Sequence, residues 1–230
     1  MISADISQPG EVRRGLVETL WYGQDPLAGY PAQPLDREGW NFDHLYLTDA
    51  IDHYRPAIVV EIGVWKGASV LTMARRMREI GCHGVVIGVD TWLGSAEHWL
   101  DRAVKLRTPA VHGYPLLYFT FLGNVAAEGL QEYVLPLPLD SINASEVLWA
   151  AGIRPSVLHI DAGHDYDSVT TDLEHWWRLL LPGGVLIADD YDAAGHVWPE
   201  VARAVDDFRA RTPHVDFAAL PYKCRFSKPA

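Results

Sequence analysis

Residues 59–69 read VVEIGVWKGAS, and this stretch decides the fold. The apolar run at 58–62 has the length of a buried strand, and a turn begins directly after it at Gly63. The run at 67–80, GASVLTMARRMREI, has the apolar spacing of a helix. A strand that turns through glycines into a helix is typical of sheets that bind a ligand beyond the carboxyl ends of their strands.

The rest of the chain repeats this alternation of short apolar strands and helices. Strands are predicted at Val85–Val89, 133–137, Val157–Ile160, Val185–Ala188, Val215–Leu220 and Tyr222–Ser227, and helices at 10–22, 43–53 (with Asp43 as the cap), 144–151, 168–180 and 198–211. The pattern predicts an α/β fold with a doubly wound, mostly parallel Rossmann-like sheet of about seven strands and an antiparallel C-terminal strand.

The composition excludes several classes of protein. Of 230 residues, 49% are hydrophobic and 21% charged, which is typical of a large globular domain. The net charge of −11 and the lack of a dense basic run argue against a nucleic-acid partner. We expect no membrane span and no signal peptide. Cys82 and Cys224 match no metal pattern, so reduced thiols and a cytoplasmic location are expected.

The glycine spacing argues against a dinucleotide cofactor. Gly63 and Gly67 form GxxxG rather than GxGxxG, and Glu61 stands where it would repel a pyrophosphate. A carboxylate at this point suits a cationic ligand. Asp90 ends the next strand, where an acid commonly accepts hydrogen bonds from two ribose hydroxyls. The alternative interpretation is a tight strand–helix turn followed by an exposed acid.

The opening stretch resembles the first motif of class I S-adenosylmethionine-dependent methyltransferases, and it is most similar to the catechol and caffeoyl-CoA O-methyltransferase type. That motif has the form E-x-G-x-x-x-G-x-S, and its positions are matched here by Glu61, Gly63, Gly67 and Ser69. The resemblance implies S-adenosylmethionine as the cofactor, with the glycines under its methionine moiety and Ser69 at its amino-acid end. It covers about residues 55–225.

The same resemblance assigns further residues to the cofactor. Asp90 would accept the ribose hydroxyls, and Thr91 and Trp92 follow it where the family has an adenine-contacting residue. Asp140 and Ser141, after the third strand, match in type the pair near the adenine.

Three acids follow two strands that we expect to be neighbours. Asp161 ends VLHID, and Asp189 and Asp190 end VLIADD. Clustered carboxylates need a proton or a cation, and hard oxygen ligands suit Mg²⁺ or Mn²⁺. They are otherwise solvated loop residues or helix caps. The metal-dependent O-methyltransferases have a similar arrangement, which implies a metal site at these three residues, with Asp161 also assigned to the cofactor.

Two details refine the resemblance. Asp190 stands where many members have Asn, and its DDY form is similar to that of the sugar O-methyltransferases of macrolide biosynthesis. His164 follows Asp161 at the position from which the catechol-type enzymes present a lysine base. A histidine there could accept a hydroxyl proton near neutral pH, and the other interpretation is a surface or cap histidine.

The sequence therefore predicts an S-adenosylmethionine- and divalent-metal-dependent O-methyltransferase for a small hydroxylated acceptor, a natural-product sugar or a phenol. The alternative is a methyltransferase-fold protein with other chemistry, such as a cephalosporin hydroxylase-like protein. Residues 1–54 are expected to form a helical and loop segment that serves as a lid or a homodimer contact, before a methyltransferase domain at 55–230. Residues 92–124 are expected as an insertion on the substrate side, with aromatic residues that line a pocket or pack.

Overall fold

The computed structural model describes residue 8 and residues 10–230, without the side chains of residues 106 and 107. The expectation of no signal peptide rests on the N-terminal residues, and the first of these lie outside the described residues. The strands are β1 (Ile58–Ile62), β2 (Val85–Val89), β3 (Ala110–Val111), β4 (Tyr114–Pro115), β5 (Val134–Leu137), β6 (Val157–Ile160), β7 (Val185–Tyr191), β8 (Val215–Leu220) and β9 (Tyr222–Ser227).

Nine α-helices and one short 3₁₀-helix (Gln131–Tyr133) connect the described strands. The α-helices are α1 (Glu11–Trp21), α2 (Leu45–Tyr54), α3 (Ala68–Glu79), α4 (Ala96–Leu100), α5 (Arg102–Arg107), α6 (Leu117–Ala127), α7 (Ser141–Ala150), α8 (Tyr166–Leu179) and α9 (Pro199–Arg211).

Seven strands form one sheet in the order β5-β2-β1-β6-β7-β9-β8. The pairs among β5, β2, β1, β6 and β7 are all parallel, whereas β9 pairs antiparallel with both β7 and β8. The prediction of a mostly parallel sheet of about seven strands with an antiparallel C-terminal strand is confirmed. The strand order reverses at β1 and β6, so the carboxyl ends of these two strands frame the expected ligand position.

Each face of the sheet has its own hydrophobic core. Helices α1, α7, α8 and α9 pack on one face, and α2, α3 and α6 pack on the other. Because side chains alternate along a strand, Val60 and Ile62 join the first core while Val59 joins the second. Glu61 therefore points to the α2, α3 and α6 face.

The structure differs from the prediction in the insertion and at one helix cap. Residues 92–124 form α4, α5, the β3–β4 hairpin and most of α6, which the sequence did not reveal because α6 is apolar on nearly all sides. The predicted Asp43 cap is wrong by one residue. His44 caps α2, because its Nδ1 accepts a hydrogen bond from the Tyr46 backbone N–H at 3.2 Å.

The N-terminal segment is joined to the edge of the sheet. On α1, Arg13 Nε donates to the carbonyl oxygen of Val134 at 2.9 Å, and Trp21 Nε1 donates to that of Pro136 at 3.1 Å. Both acceptors belong to β5, which is the last strand on that side. These side chains thus cover carbonyl groups that an edge strand would leave exposed. No helix in the described part of the chain is long and apolar enough to cross a membrane.

One buried acid makes the stability of the fold depend on pH. Asp172 on α8 is nearly buried and accepts a hydrogen bond from Ser141 Oγ. Burial raises the pKa of Asp172 from 3.8 to about 6, although the Ser141 bond opposes this shift. Folding therefore favours the protonated acid, and its contribution to stability is complete below about pH 4 and is lost as the pH rises through about 6.

We predict that Asp172→Asn becomes progressively more stable than the wild type between pH 4 and pH 7. The amide keeps an acceptor for Ser141 and carries no buried charge, so the difference in unfolding free energy should grow by up to about 3 kcal/mol and then level off. Thermal unfolding at half-unit pH steps measures it. Asp167→Asn, an exposed position on the same helix, is the control. A stability difference that is constant with pH would contradict the assignment.

Candidate active site

The carboxyl ends of the parallel strands open into one cavity of about 890 Å³. Its described lining includes the ends of β1, β2, β6 and β7, the residues just before α9, parts of the insertion, residues 139–141 and residues 38–42. Ligand pockets commonly have volumes of about 300–1,000 Å³, so this cavity lies in the upper part of that range. It therefore has room for a cofactor and a second small molecule.

Asp90, at the end of β2, is held by three backbone N–H groups. Its Oδ2 accepts from Val64 and Trp65 at 2.9 Å each, and its Oδ1 accepts from Trp92 at 2.7 Å. A carboxylate has about four lone-pair positions, so one remains for a ligand that lies in the cavity. Asp90 also lines the cavity, and its contact with the ribose hydroxyls stays a prediction.

Glycine is needed at positions 63 and 67 for a different reason from the one expected. A Cβ at Gly63, whose φ is 83°, would lie 1.8 Å from the carbonyl oxygen of Asp161. A Cβ at Gly67, whose φ is 89°, would lie 2.4 Å from Cδ2 of Phe121. Both are therefore required by contacts within the protein. Gly63 also lines the cavity, whereas Gly67 does not, so Gly67 does not lie where a cofactor-binding glycine was predicted.

Glu61 does not reach the cavity either. Its side chain is fully buried, and its Oε1 accepts a hydrogen bond from Ser69 Oγ. Burial raises the pKa of Glu61 to about 8, against the opposing effect of the Ser69 bond. Ser69 itself lines the cavity. Direct cofactor contact by Glu61 is thus not possible in this arrangement, and the acid instead orients the hydroxyl of Ser69.

Glu61 is the first member of a row of ionisable side chains that crosses four strands on one face. Glu61 of β1 stands beside His159 of β6, and Asp189 of β7 stands beside Lys223 of β9. His159 Nδ1 lies 3.2 Å from Glu61 Oε2, and Lys223 Nζ contacts His159 Nε2 at 3.1 Å and donates to Asp189 Oδ2. We call these four residues the buried row. Burial and then the charge of Lys223 lower the pKa of His159 to about 3, so this imidazole is neutral.

A bulge turns Asp190 away from the buried row. The pairing of β7 with β9 shifts register between Asp189 and Tyr191, and Asp190 has a φ of 55°. A bulge of this kind re-aims a side chain, and aspartate tolerates the left-handed region better than most residues. Two consecutive acids therefore have separate surroundings: Asp189 contacts Lys223, and Asp190 Oδ2 lies 3.0 Å from His164 Nε2 on the cavity wall.

His164 lies on the cavity wall between two acids and an indole ring. Its Nδ1 lies 3.4 Å from Glu97 Oε1, and its ring stacks on Trp198 with centroids 4.2 Å apart. Burial lowers the pKa of His164, but the hydrogen bond and charge of Asp190, together with Glu97, raise it further than burial lowers it. These contacts fix the ring and make the neutral imidazole a stronger base, because they stabilise the imidazolium that forms when it accepts a proton.

The described residues offer two groups whose donor atoms lie within 4.8 Å of one another, as a metal ion requires. One consists of His159, Asp161 and Asp189, and the other of Asp161, His164 and Asp190. Desolvation and then the charge of Asp189 raise the pKa of Asp161 well above its ordinary value. The second group fits a divalent ion on the cavity wall. In the first group, His159 and Asp189 already contact Lys223.

Trp92 is a correction to the predicted cofactor site. Its side chain is almost completely buried, its Nε1 donates to the carbonyl oxygen of Trp65 at 2.9 Å, and its ring stacks on Phe121. The tryptophan thus belongs to the hydrophobic core beneath the cavity and does not line it. It is not placed to contact an adenine, because the turn after β2 directs the side chain inward.

Thr91, Asp140 and Ser141 all line the cavity, as predicted for cofactor-binding residues. Asp140 Oδ1 caps α7 by accepting the Asn143 N–H at 2.9 Å. The Ser141 hydroxyl donates to Asp172 and accepts from Trp176 Nε1 at 2.8 Å, so most of its bonding capacity is used within the protein. Their contact with an adenine stays a prediction.

A buried lysine holds the N-terminal segment over the cavity. Lys66 Nζ lies 2.7 Å from both Asp36 Oδ2 and Glu38 Oε2, and its side chain is 4% exposed. Asn124 Nδ2 also donates to the carbonyl oxygens of Asp36 and Lys66 at 2.6 and 2.9 Å. The following residues, 38–42, form part of the cavity wall. The lid interpretation of this segment stays a prediction.

Sequence reasoning missed several residues of the site. His159 had a visible signal, because a histidine interrupts the otherwise apolar strand VLHI. Lys223 had none, since its partner Asp189 comes from another strand. Glu97 lies in a segment without a clear period, and Trp198 was predicted only as the start of a helix.

The sheet order, the switch point and the acids at the strand ends define the class I methyltransferase fold. The profile of a family described as "Methyltransferase domain" matches residues 60–191, which is more than half of the chain. The chain therefore belongs to this methyltransferase family, and the resemblance inferred from VVEIGVWKGAS is confirmed.

Several solved structures share the fold and bear the names of O-methyltransferases. A putative O-methyltransferase from Klebsiella pneumoniae is 18% identical over 94% of this chain and 95% of its own, with a TM-score of 0.60. TomG from Streptomyces achromogenes, involved in tomaymycin synthesis and bound to S-adenosylmethionine, is 14% identical over 100% of both chains, with a TM-score of 0.59. An O-methyltransferase from Bacillus cereus, bound to S-adenosylhomocysteine, is 18% identical over 94% and 97%, with a TM-score of 0.57.

We predict that Gly63→Ala strongly destabilises the protein. The substitution adds a methyl group 1.8 Å from a backbone oxygen, which only a shift of the chain can relieve. Gly183→Ala is the matched control, because Gly183 has a similar φ of 74° and no atom within 4 Å of the added group. The control should lose about 1–2 kcal/mol from its positive φ alone, and Gly63→Ala should lose clearly more in chemical denaturation. Equal losses would show that the clash is unimportant.

Proposed function

We propose that this protein transfers the methyl group of S-adenosylmethionine to a hydroxyl of a small molecule, with the help of a divalent cation. The observation that carries the proposal is the shared cavity. Asp90 enters it from the end of β2, beside the turn at Gly63, and Asp161 and Asp190 enter it from the ends of β6 and β7. One ligand site for a nucleoside and one for a cation thus face the same space.

Each residue has a defined task in this reaction. The acceptor oxygen bonds to the methyl carbon as the carbon–sulfur bond breaks, which releases S-adenosylhomocysteine, and His164 receives the hydroxyl proton. A divalent cation, when bound, would lower the pKa of the acceptor hydroxyl. Asp161 and Asp190 would hold that cation, and Asp90 would fix the ribose. The protein contributes mainly by holding the two reactants in line.

The charges of the cavity wall restrict the acceptor. Eight carboxyl side chains line the cavity, and no Lys or Arg is among its described lining residues. Such a wall suits the cationic sulfonium of the methyl donor and repels an anion, since like charges in a narrow cleft interact strongly. We therefore infer an uncharged or cationic acceptor, such as a free phenol or a glycoside. Glu38 and Asp189 are paired with Lys66 and Lys223, but the remaining acids should still disfavour nucleoside diphosphate sugars and coenzyme A esters. That TomG is named for tomaymycin synthesis supports a screen of natural products.

We predict that S-adenosylhomocysteine and Mg²⁺ each raise the melting temperature of the wild type. A ligand at a hundred times its dissociation constant stabilises a protein by about 2.7 kcal/mol, which gives a clear shift. Asp161→Asn should retain the response to S-adenosylhomocysteine, lose the response to Mg²⁺ and lose methyl transfer. Exposed Asp167 lies close by in sequence, and Asp167→Asn should retain all three.

The pattern of responses separates the candidate functions. Full methyl transfer in EDTA would contradict the metal requirement. A response to S-adenosylhomocysteine without transfer to any hydroxylated acceptor would favour a cofactor-binding protein with other chemistry. No response to S-adenosylhomocysteine would contradict the proposal as a whole.

We predict that neutral acceptors are preferred over their phosphorylated counterparts. A catechol should be methylated with a kcat/KM at least about tenfold higher than its phosphate ester, and a free glycoside should likewise exceed the matching nucleoside diphosphate sugar, because each added charge faces the acidic wall. The preference should shrink as the salt concentration rises. An anionic acceptor that matches its neutral counterpart would refute the charge argument.

A further inference from the structure

The buried row contains a charge that the proposed reaction does not use. Lys223 is completely buried, and its Nζ donates to Asp189 Oδ2 while it contacts His159 Nε2 at 3.1 Å. A lysine in this position costs much free energy unless an acid compensates its charge. The register of β7 and β9 places Asp189 directly opposite, so the pair is built into the sheet.

Both oxygens of Asp189 are already engaged. Oδ2 accepts from Lys223, and Oδ1 accepts from the backbone N–H of Asp190 at 2.8 Å. His159 is engaged as well, because its Nε2 faces the same ammonium group. Of the group formed by His159, Asp161 and Asp189, two members are thus bound to an internal cation.

The other donor group is free of this lysine. The structure records no contact of Lys223 with Asp161, His164 or Asp190 among the described hydrogen bonds and ion pairs. Asp161 belongs to both groups and Asp189 also borders the cavity, but the bulge turns Asp190 toward His164 while Asp189 stays paired with Lys223.

We propose that Lys223 is a positioning residue that occupies Asp189 as a permanent internal cation, and thereby limits the carboxylate ligands of the metal to Asp161 and Asp190. This inference rests on the metal-dependent function proposed above. It replaces the predicted ligand set, in which Asp189 was included. A dication at Asp189 would have to compete with the buried ammonium group of Lys223, whereas a dication at Asp161 and Asp190 would not, because neither acid has a recorded hydrogen bond or ion pair with that lysine.

Mn²⁺ binding to metal-free protein, followed by the electron paramagnetic resonance signal of free Mn²⁺, tests this inference without a turnover assay. Lys223→Met removes the internal cation, so Asp189 becomes available and Mn²⁺ should bind at least about tenfold more tightly than to the wild type. In the double variant Lys223→Met/Asp189→Asn both charges are absent, and the affinity for Mn²⁺ should return to within about threefold of the wild type. Asp161→Asn should weaken binding in each background.

Several outcomes would overturn the proposal. One is an unchanged affinity for Mn²⁺ in Lys223→Met. Another is a double variant that loses as much affinity as Asp161→Asn does, because that loss would show that Asp189 is a ligand in the wild type. If the wild type binds no Mn²⁺, the metal-dependent function fails, yet a site gained in Lys223→Met still supports the role of Lys223 and a site not gained refutes it. If Lys223→Met is unstable, stabilisation by Mn²⁺ supports the proposal, and equal instability with and without Mn²⁺ contradicts it.

Discussion

The contact between the turn after β1 and the end of β6 determines how the rest of the site is arranged. At this point the backbone at Gly63 approaches the carbonyl oxygen of Asp161 so closely that no side chain fits between them. The N–H groups that follow Gly63 hold Asp90, and the chain that follows the carbonyl group leads to His164. A single close approach of two strands therefore fixes the nucleoside side and the cation side of the cavity relative to each other.

The face of the sheet below the cavity is unusual in its polarity. Parallel strands covered by helices are normally apolar on both faces, yet here four adjacent strands carry Glu61, His159, Asp189 and Lys223 toward α2 and α3. Such groups stabilise a fold only when each has a partner. The ion pair of Lys223 and Asp189 meets this requirement, and burial keeps Glu61 protonated and His159 neutral, although Glu61 Oε2 and His159 Nδ1, 3.2 Å apart, make no hydrogen bond of normal geometry.

The parts of the fold that follow from local pattern were predictable from the sequence. The strands Ile58–Ile62, Val85–Val89 and Val157–Ile160 coincide with their apolar runs, since buried strands have a length and composition that few other elements share. Helix α6 was not predictable, because a segment that is apolar on all sides fits both a strand and a helix.

The site was predictable where the chain itself places residues at the ends of strands. Asp90, Asp161 and Asp190 line the cavity for that reason. The prediction for Trp92 was wrong, because the direction of its side chain depends on the turn rather than on its position in the sequence. Lys223 was missed because its partner comes from a strand that is distant in sequence, and only the register of the sheet brings the two together.

The attachment of the N-terminal segment has a consequence for where the smallest folding unit of this protein begins. The family match starts at residue 60, and a recombinant fragment trimmed to that boundary would lack both helices before β1. It would expose carbonyl groups of β5 that Arg13 and Trp21 now cover. It would also leave Lys66 without the two acids that lie beside it. The matched region is thus shorter than the packed structure, because residues ahead of it contact β5 and Lys66.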